Sequence, residues 1–424
     1  MIYLSQIYGC GDFFGENFPE SFTDYLSQTM TRNMIKNVTK QIFINGRFLT
    51  QPITGVQRYA IELVKGLDDC LANYLETVNL NINVTILAPQ NQGIDVKNLD
   101  LKYIKIRQVG WTKGHIWEQL ELPWYALGGV LLNLGNTAPL IHPNLVVTIH
   151  DAAVFGIPDA YVPLFRYWYQ FLYPQLGKRA KRIITDSKFS KQQLNYYAQI
   201  PLDKMTVIPL GNEHIKFTSE FTSEFTSKLA SQDQQANLNS ISSILADQLP
   251  EKFFLAVSSP SRHKNFSIIF DVINHLESQN LNLDFQVLVV GKADASIFSQ
   301  QSFNHGKRVK YLGAVDDKTL SYLYQNATGL IYPSLYEGFG LPPLEAMTCG
   351  CPVITTQGNS LPEVCGDAVL YCDPLSATDI AHQVKELLTK PELVASLRQK
   401  GLSQIQGFSW QACAQKTWQL LQSI

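Results

Sequence analysis

The sequence lacks the segments that mark export or membrane insertion. It contains no apolar run of about eighteen residues, the shortest stretch that reads as a helix crossing a bilayer. Its first residues, MIYLSQIYGCGDFFGENF, do not show a basic stretch followed by an uninterrupted apolar one, which is the pattern of a signal peptide. We therefore expect a cytoplasmic protein that is neither secreted nor embedded in a membrane.

Excess charge and dense cysteine are missing as well. The formal net charge is -2, so the chain has no overall positive field, and nucleic acid is not favoured as a partner. The seven cysteines are an odd number spread over 424 residues, unlike the dense, even set of a small disulfide-rich domain. Reduced thiols are expected.

Three familiar nucleotide and metal motifs are also absent. No Gly-X4-Gly-Lys-Ser/Thr occurs, which excludes a P-loop. The three glycines of GCGDFFG (9–15) have the wrong spacing for a dinucleotide fingerprint, and no strand and helix pattern surrounds them. Cys349 and Cys351 are too close together and too isolated from other ligand types for structural zinc. We expect no metal site and no cofactor.

What the chain does have is the composition and alternation of a large folded α/β protein. Its length favours two or more domains, and its 45% apolar and 17% charged residues are typical of folded chains. Apolar segments of strand length alternate with amphipathic ones in two series, separated by the polar, repetitive stretch at 216–243. This alternation predicts two lobes, each with a parallel sheet covered by helices, around a cleft. The predicted segments are an N-terminal extension (1–38), a first lobe (39–211), an insertion or linker (212–250), a second lobe (251–409) and a C-terminal helix (410–424).

The segment PSLYEGFGLPPLEAMTCGCPVITT (333–356) combines a glycine loop with a helix start. GLIYPS (329–334) predicts a buried strand, and Pro342 and Pro343 fit the first turn of a helix. The unpaired N–H groups of that turn carry partial positive charge and suit a phosphate or sugar hydroxyls. Glycines in the loop let a ligand approach the backbone.

Two glutamates flank this helix start. Glu337 lies in the loop, and we expect Glu345 in the first helical turn. Carboxylates accept hydrogen bonds from hydroxyls, so this spacing suits the two sugars of a nucleotide-sugar. In the alternative interpretation, Glu345 only complements the helix dipole and Glu337 is a solvated loop residue.

The stretch EGFGLPPLE resembles the Glu-X7-Glu signature of glycosyltransferase family 4, the retaining GT-B transferases labelled group 1. The similarity extends over most of the chain, and it looks closest to the mannosyltransferase-like members. The further matching stretches are GVQRYAIEL (55–63), IWEQLELP (116–123), VVTIHD (146–151), ITDSKFSKQQL (184–194), VIPLGNE (207–213), RHKN (262–265), LPEVCGDAVLY (361–371) and FSW (408–410). The resemblance implies a GT-B fold: two Rossmann-like lobes whose parallel sheets face a central cleft. It also implies that the first lobe is on the acceptor side, that the second lobe binds the nucleotide-sugar, and that the C-terminal helix crosses back to the first lobe.

The resemblance also implies roles for residues 337–341, the donor loop, and for the helix that follows it. Glu345 would bind the ribose hydroxyls of the donor nucleotide, and Glu337 would contact the donor sugar. The backbone at Gly338, Phe339, Gly340 and Leu341 would hold the sugar and phosphate groups.

A basic cluster, Arg262-His263-Lys264, follows the first strand of the second lobe. Cations there would stabilise the negative charge that develops on a departing diphosphate. By resemblance Lys264 matches the family's lysine, and Arg262 stands one position away from its arginine. A solvated basic turn is the alternative.

In the first lobe, His150 and Asp151 follow a buried strand. The resemblance assigns His150 to the donor sugar near the reacting carbon, through its carbonyl and ring, while Asp151 orients the loop. Gly55 precedes a helix and could bring amides near the donor phosphates or the acceptor. Its alternative is an ordinary helix-start glycine beside a solvated Arg58.

Together these features predict transfer of a hexose with retention, from GDP-mannose or a UDP-sugar, to a glycan or lipid-linked saccharide. No Asp-X-Asp triplet occurs, so a metal-clamped donor is unsupported. A sugar phosphorylase, a nucleotide-sugar epimerase and a silent nucleotide-sugar-binding scaffold are the alternatives. The joint presence of catalytic and donor residues speaks against a scaffold.

The basic stretch GKRAKR (177–182) lies in the predicted acceptor-side lobe. It could contact anionic lipid headgroups, which predicts peripheral association with the inner membrane face. The alternative is a solvated helix face.

Overall fold

The computed structural model describes residues 40–77, 82–90, 92–96, 99–215, 249–258, 262–279, 284–291 and 308–424. The predicted extension at 1–38 lies outside the described residues. Of the predicted insertion at 212–250, only the two ends are described.

The first sheet lies in the N-terminal part of the described chain, and its neighbouring strands all pair in parallel. Within the described residues its order is β3-β2-β1-β4-β5-β6-β7. The strands are β1 (Lys40–Asn45), β2 (Ile82–Pro89), β3 (Lys105–Val109), β4 (Val130–Asn133), β5 (Leu145–Thr148), β6 (Arg182–Thr185) and β7 (Met205–Val207). The sequence patterns did not predict β3 or β4. Strand β3 is an edge strand that contains charged residues, and β4 is short.

The second sheet repeats this arrangement with parallel pairs throughout. Its order among the described strands is β10-β9-β8-β11-β12-β13. The strands are β8 (Phe253–Ser258), β9 (Gln286–Gly291), β10 (Val309–Gly313), β11 (Gly329–Tyr332), β12 (Val353–Thr356) and β13 (Leu370–Cys372). Strands β11 and β12 are buried along their whole length, as expected for a sheet covered on both faces.

Helices cover both sheets. In the described parts of the chain they are α1 (Gly55–Thr77), α2 (Gly114–Ile116), α3 (Leu122–Tyr125), α4 (Ala153–Gly156), α5 (Pro163–Arg179), α6 (Lys188–Ala198), α7 (Ile268–Ser278), α8 (Asp317–Asn326), α9 (Leu341–Thr348), α10 (Leu361–Cys365), α11 (Ala377–Thr389), α12 (Pro391–Gln404) and α13 (Trp410–Gln422). A π-helical turn at Trp117–Glu121 joins α2 to α3.

The last helix, α13, returns to the first lobe and packs on α1. Gly66 permits this close approach, because a Cβ there would come within 2.6 Å of the Cβ of Ala414. Tyr74 and Trp418 meet edge to face, with ring centroids 5.7 Å apart. The ammonium of Lys40 donates to the carbonyl of Leu421 at 2.9 Å.

In each sheet the order in which successive strands are added reverses beside the first strand. This reversal lies between β1 and β4 in the first sheet and between β8 and β11 in the second. This is the Rossmann-like order, and ligands of such sheets bind beyond the carboxyl ends of the strands at that reversal. The predicted α/β architecture with two parallel sheets is confirmed. The predicted domain limits stay predictions.

In the part of the chain that the structure describes, no helix combines the length and the hydropathy required to cross a bilayer. Across the same ranges, no three His, Cys, Asp or Glu side chains come together in a way that would hold a metal ion. The expectation that the protein works without a metal stays a prediction.

Candidate active site

A cavity of about 730 Å³ lies between the two lobes. This volume is within the range of small-molecule sites. Most of the residues predicted from sequence line it: Gly55, His150, Lys264, Glu337, Gly338, Phe339, Gly340, Leu341 and Glu345. Arg262 is not among the lining residues, and its side chain is exposed.

The starts of two helices meet at this cavity. Gly55 and Val56 of α1 lie on the first-lobe side, and Leu341 and Pro342 of α9 lie on the second-lobe side. Gly340 caps α9 with a φ of 106°, a conformation that favours glycine. Two partial positive charges therefore face the same space.

The position of Glu345 differs from the sequence expectation. Helix α9 begins at Leu341, and its first turn holds no acidic residue. Glu345 is consequently in the second turn, where complementing the helix dipole is a weaker reason for its presence, since that effect falls off within the first turn.

Glu345 is held by two side chains of its own surroundings. Its Oε1 accepts a hydrogen bond from Nε2 of His214 at 2.9 Å, and its Oε2 accepts one from the hydroxyl of Tyr324 at 3.2 Å. Burial, followed by the nearby charge of Glu345, raises the pKa of Tyr324 well above its usual range, so the phenol stays a donor. A carboxylate has about four acceptor positions, so each oxygen keeps one for a ligand.

Glu337 is buried, and the interpretation of it as a solvated loop residue is wrong. Its Oε1 lies 2.6 Å from Nζ of Lys264 and 2.8 Å from the hydroxyl of Tyr332. Burial on its own would raise the pKa of Glu337, but the ammonium of Lys264, together with hydrogen bonds from Ser334 and Tyr332, holds the pKa below the usual value. The glutamate is therefore a charged acceptor, engaged in an ion pair at the cavity wall.

The three basic residues after β8 separate in the structure. Lys264 and His263 line the cavity, whereas Arg262 is exposed to solvent. Burial, then the charge of Lys264, lowers the pKa of His263 to about 4. At neutral pH, Lys264 is therefore the charged member of the cluster at the cavity, and the interpretation of a fully solvated turn does not apply to it.

His150 is buried, and both of its ring nitrogens are engaged within the first lobe. Nδ1 lies 2.8 Å from Oδ2 of Asp186, and Nε2 lies 3.1 Å from the carbonyl oxygen of Leu134. Burial lowers the pKa of His150, but the Asp186 carboxylate, together with the Leu134 carbonyl and the charge of Asp151, raises it overall. The backbone carbonyl of His150 lies against Gly338, where an added Cβ would come within 2.8 Å of it.

Two aspartates complete the first-lobe wall. Asp151 accepts a hydrogen bond from the backbone N–H of Ala153 at 2.8 Å, in agreement with a loop-orienting role. Burial, and beyond it the charges of Glu337 and Asp186, raise the pKa of Asp151. The second carboxylate oxygen of Asp186, Oδ1, is buried and makes no hydrogen bond to the described residues.

The two lobes touch around the cavity. The guanidinium of Arg58, on α1, pairs with the carboxylate of Asp317, on α8. The hydroxyls of Ser187 and Ser190 donate to the carbonyl of Gly338 at 2.6 and 3.0 Å. The donor loop is thus anchored to the first lobe by its backbone.

The sequence patterns missed four residues that structure brings to this site or beside it: Arg58, Asp186, His214 and Tyr332. Arg58 had a usable signal, because it follows Gly55 by three residues and so lies in the first turn of α1. Asp186 and His214 had none, since their partners His150 and Glu345 are distant in sequence. Tyr332 is close to Glu337 in sequence, but it ends a wholly buried strand, and an apolar strand pattern does not distinguish a site tyrosine from a core one.

Two family models match the chain. The model described as Glycosyl transferases group 1 matches residues 240–404, which contain the donor loop. The model described as Glycosyltransferase Family 4 matches residues 124–213.

The chain belongs to the group 1 glycosyltransferases. This glycosyltransferase is an enzyme of the hexosyltransferase class and is mannosyltransferase-like.

Two curated relatives of this glycosyltransferase are similar over long stretches. The O-antigen chain mannosyltransferase B of Escherichia coli is 28% identical over 389 residues, which are 86% of this chain and 95% of the relative. The O-antigen chain mannosyltransferase RfbU of Salmonella typhimurium is 28% identical over 287 residues, 64% of this chain and 70% of the relative.

A solved structure shares the fold. HepE of Anabaena, crystallised in complex with UDP-glucose, superposes with a TM-score of 0.66 at 16% identity, covering 91% of this chain and 100% of that one. This likeness confirms the predicted GT-B fold of two Rossmann-like lobes.

Proposed function

We propose that this glycosyltransferase moves mannose from GDP-mannose to a glycan or lipid-linked saccharide with net retention; a UDP-linked hexose is the alternative donor. The single observation that carries the proposal is the convergence of Glu345 and the Lys264–Glu337 pair on one cavity between the lobes. The O-antigen chain mannosyltransferase of Escherichia coli, at 28% identity, supports mannose and a polysaccharide acceptor.

The diphosphate of the donor occupies the space between the two helix starts. Amide groups at Gly338 and Gly340 and the first turn of α1 supply partial positive charge there. Lys264 has three ammonium protons, and two of them are already directed to Tyr332 and Glu337. The third is available for a phosphate oxygen.

The donor's two sugars are recognised by the two glutamates. Glu345 keeps an acceptor position on each oxygen, which matches the paired 2′- and 3′-hydroxyls of a ribose. Glu337 receives hydroxyls of the transferred hexose while its charge is maintained by Lys264.

In the chemical step the bond between the sugar's anomeric carbon and the phosphate oxygen breaks, and negative charge grows on the diphosphate. Lys264 and the helix starts stabilise that charge more strongly in the transition state than before it. Glu337 is already paired and has a depressed pKa, so it is a poor proton donor. The departing phosphate accepts the proton of the acceptor hydroxyl, which attacks from the same face.

The test is a thermal-shift panel of GDP-, UDP- and ADP-linked sugars, because a ligand that binds the folded state raises its melting temperature. The selected donor is then incubated with and without a mannoside acceptor, and the product's anomeric configuration is read by NMR. We expect GDP-mannose to give the largest shift and an α-linked product. Conversion of the donor without acceptor would indicate an epimerase. Phosphate-dependent release of sugar 1-phosphate would indicate a phosphorylase, and donor binding without any turnover would indicate a scaffold.

We also propose that the first lobe contacts an anionic membrane surface, where a lipid-linked acceptor would be found. The support is an apolar face on helical segments α2 to α3 and on α5, which meet at His115 and Trp168 with ring centroids 6.1 Å apart. Its exposed side chains are Ile116, Leu120, Trp124, Leu164, Tyr167 and Phe171. The basic residues Lys178, Arg179, Lys181 and Arg182 are exposed on the same lobe.

Partition into phosphatidylglycerol and phosphatidylcholine vesicles tests this contact. Each cation near an anionic surface is worth about 1 kcal/mol, so replacing the four basic residues by glutamine should greatly reduce binding to the anionic vesicles. Leu164→Ser should reduce it too, whereas Leu375→Ser, an equally exposed leucine of the second lobe, should not. Unchanged partition of the four-fold variant overturns the proposal.

A further inference from the structure

His214 connects the ribose glutamate of the proposed function to the junction between the lobes. Its Nε2 lies 2.9 Å from Oε1 of Glu345, and its Nδ1 lies 3.0 Å from Nε1 of Trp410. The His214 side chain is only 2% exposed. Both ring nitrogens therefore have one partner each, and water has little access to replace either.

The hydrogen bonds determine where the ring proton lies. The indole Nε1–H of Trp410 can only donate, so Nδ1 of His214 must accept. In a neutral imidazole the proton is then on Nε2, which donates to the Glu345 carboxylate. Trp410 thus keeps His214 in the tautomer that presents a donor to Glu345.

The same two residues lie where the chain passes between the lobes. His214 follows β7, the last strand of the first sheet, and Trp410 begins α13, the helix that returns to the first lobe. The neighbour of His214, Glu213, accepts a hydrogen bond from the backbone N–H of Trp410 at 2.8 Å. The two segments that connect the lobes are therefore hydrogen-bonded to each other, and His214 in one of them is also hydrogen-bonded to Glu345.

We propose that His214 is a positioning residue for the donor: it holds Glu345 in the orientation that receives both ribose hydroxyls, and through Trp410 it ties that orientation to the lobe junction. This inference rests on the proposed function, in which Glu345 binds the ribose. His214 lies in the stretch PLGNEH, outside the donor loop, and it acts through Glu345 without entering the cavity wall.

A thermodynamic cycle that combines protein variants with nucleotide analogues isolates the contribution of the ribose hydroxyls to binding. Dissociation constants of GDP and of 2′,3′-dideoxy-GDP are measured by calorimetry for the wild type and for His214→Ala; UDP and its dideoxy analogue are used if the panel selects uridine. We expect the wild type to bind the dideoxy nucleotide roughly 10- to 100-fold more weakly than GDP, as for hydrogen bonds to a charged group. In His214→Ala, the dissociation constant of GDP should rise until most of its difference from the dideoxy nucleotide is lost. The dissociation constant of the dideoxy nucleotide should change little.

Conservative replacements separate positioning from general packing. His214→Gln carries an amide N–H near the position of Nε2 and should restore most of the ribose discrimination. His214→Asn, whose amide reaches only the position of Nδ1, should behave like His214→Ala. Trp410→Phe keeps the packing but removes the indole donor and should give an intermediate loss.

The outcomes distinguish the inference from the function beneath it. If the wild type binds no nucleoside diphosphate, the proposed function fails and the inference fails with it. If the wild type discriminates against the dideoxy nucleotide and His214→Ala does so equally, only the inference is overturned. Equal weakening of both nucleotides by His214→Ala, without rescue by His214→Gln, also overturns it, because that is the result of a merely structural role.

Discussion

The ammonium of Lys264 lies 2.6 Å from the carboxylate of Glu337 and 2.8 Å from the hydroxyl of Tyr332, in the wall of the cavity between the lobes. The side chains of Lys264 and Glu337 are only 17% and 9% exposed. The pair therefore has two consequences, one for stability and one for catalysis, which substitution can separate.

Lys264→Met leaves Glu337 buried without a counter-charge. Loss of one partner of a buried ion pair costs about 3–5 kcal/mol of unfolding free energy, and loss of an electrostatic contact to the leaving group lowers kcat by roughly 10²- to 10³-fold. Denaturant unfolding and steady-state kinetics measure the two effects. The double variant Lys264→Met/Glu337→Gln should recover much of the stability but not the activity. Recovery of activity in the double variant would contradict the assignment of Lys264 to the phosphate.

Gly338→Ala tests whether closure of the lobes on the donor loop is required. An added Cβ would come within 2.6 Å of the Cβ of Asp151, on the opposite lobe. Since the collision is between lobes, we expect a small change in melting temperature and a fall in kcat/KM of about 100-fold, the cost of a misplaced reacting group.

Gly358→Ala is the matched control, because nothing lies within 4 Å of a Cβ at that position in the same lobe. Its kinetics should equal those of the wild type. Normal activity in Gly338→Ala would show that the lobes need not approach this closely.

Asp317→Asn removes the ion pair between Arg58 and the second lobe. The Asp317 side chain is 42% exposed, and exposed pairs contribute at most about 1 kcal/mol, so the donor KM should rise no more than about fivefold. Small-angle scattering should show a larger radius of gyration without donor. Glu386→Gln, which breaks the exposed pair with Lys390 in the same lobe, is the control.

High salt screens exposed charges. The KM of the wild type should therefore approach that of Asp317→Asn as salt is added. A difference that persists at high salt would assign the effect to something other than the ion pair.

The pairing of His150 with Asp186 predicts a pH dependence of stability. Because the pKa of His150 is raised above its ordinary value of 6.5, the stabilisation is fully present below that value and is lost as the pH rises through the higher folded-state pKa. The destabilisation caused by Asp186→Asn should therefore be larger at about pH 6 than at about pH 9, as measured by denaturant unfolding.

Asp68→Asn is the control for this pH effect. The Asp68 carboxylate is buried and accepts hydrogen bonds from the backbone N–H groups of Lys102, Tyr103 and Ile104. No side chain that titrates in this range takes part in these bonds, so its destabilisation should be the same at both pH values. A similar profile for Asp186→Asn would refute the charged pair.

The sequence patterns were most informative where the chemistry is local. The donor loop could be predicted because glycines, prolines and an apolar strand within one short segment determine a strand, a turn and a helix start. Pro342 and Pro343 lie in the first turn of α9, as predicted. The predicted turn for Glu345 was wrong: α9 begins at Leu341, directly after its cap Gly340, so Glu345 lies beyond the first turn.

By itself, the sequence determined the two α/β lobes, the donor loop and the family, because these depend on local turn chemistry and on the period of apolar residues. Only the tertiary structure decided which charged groups meet. Arg58 and Asp317 are separated by 259 residues, and His214 and Trp410 by 196. The structure also sends Arg262 to solvent while its neighbour Lys264 faces the cavity. Such pairings arise from how two folded surfaces pack against each other, and a periodic pattern within one segment carries no information about the segment that it will face.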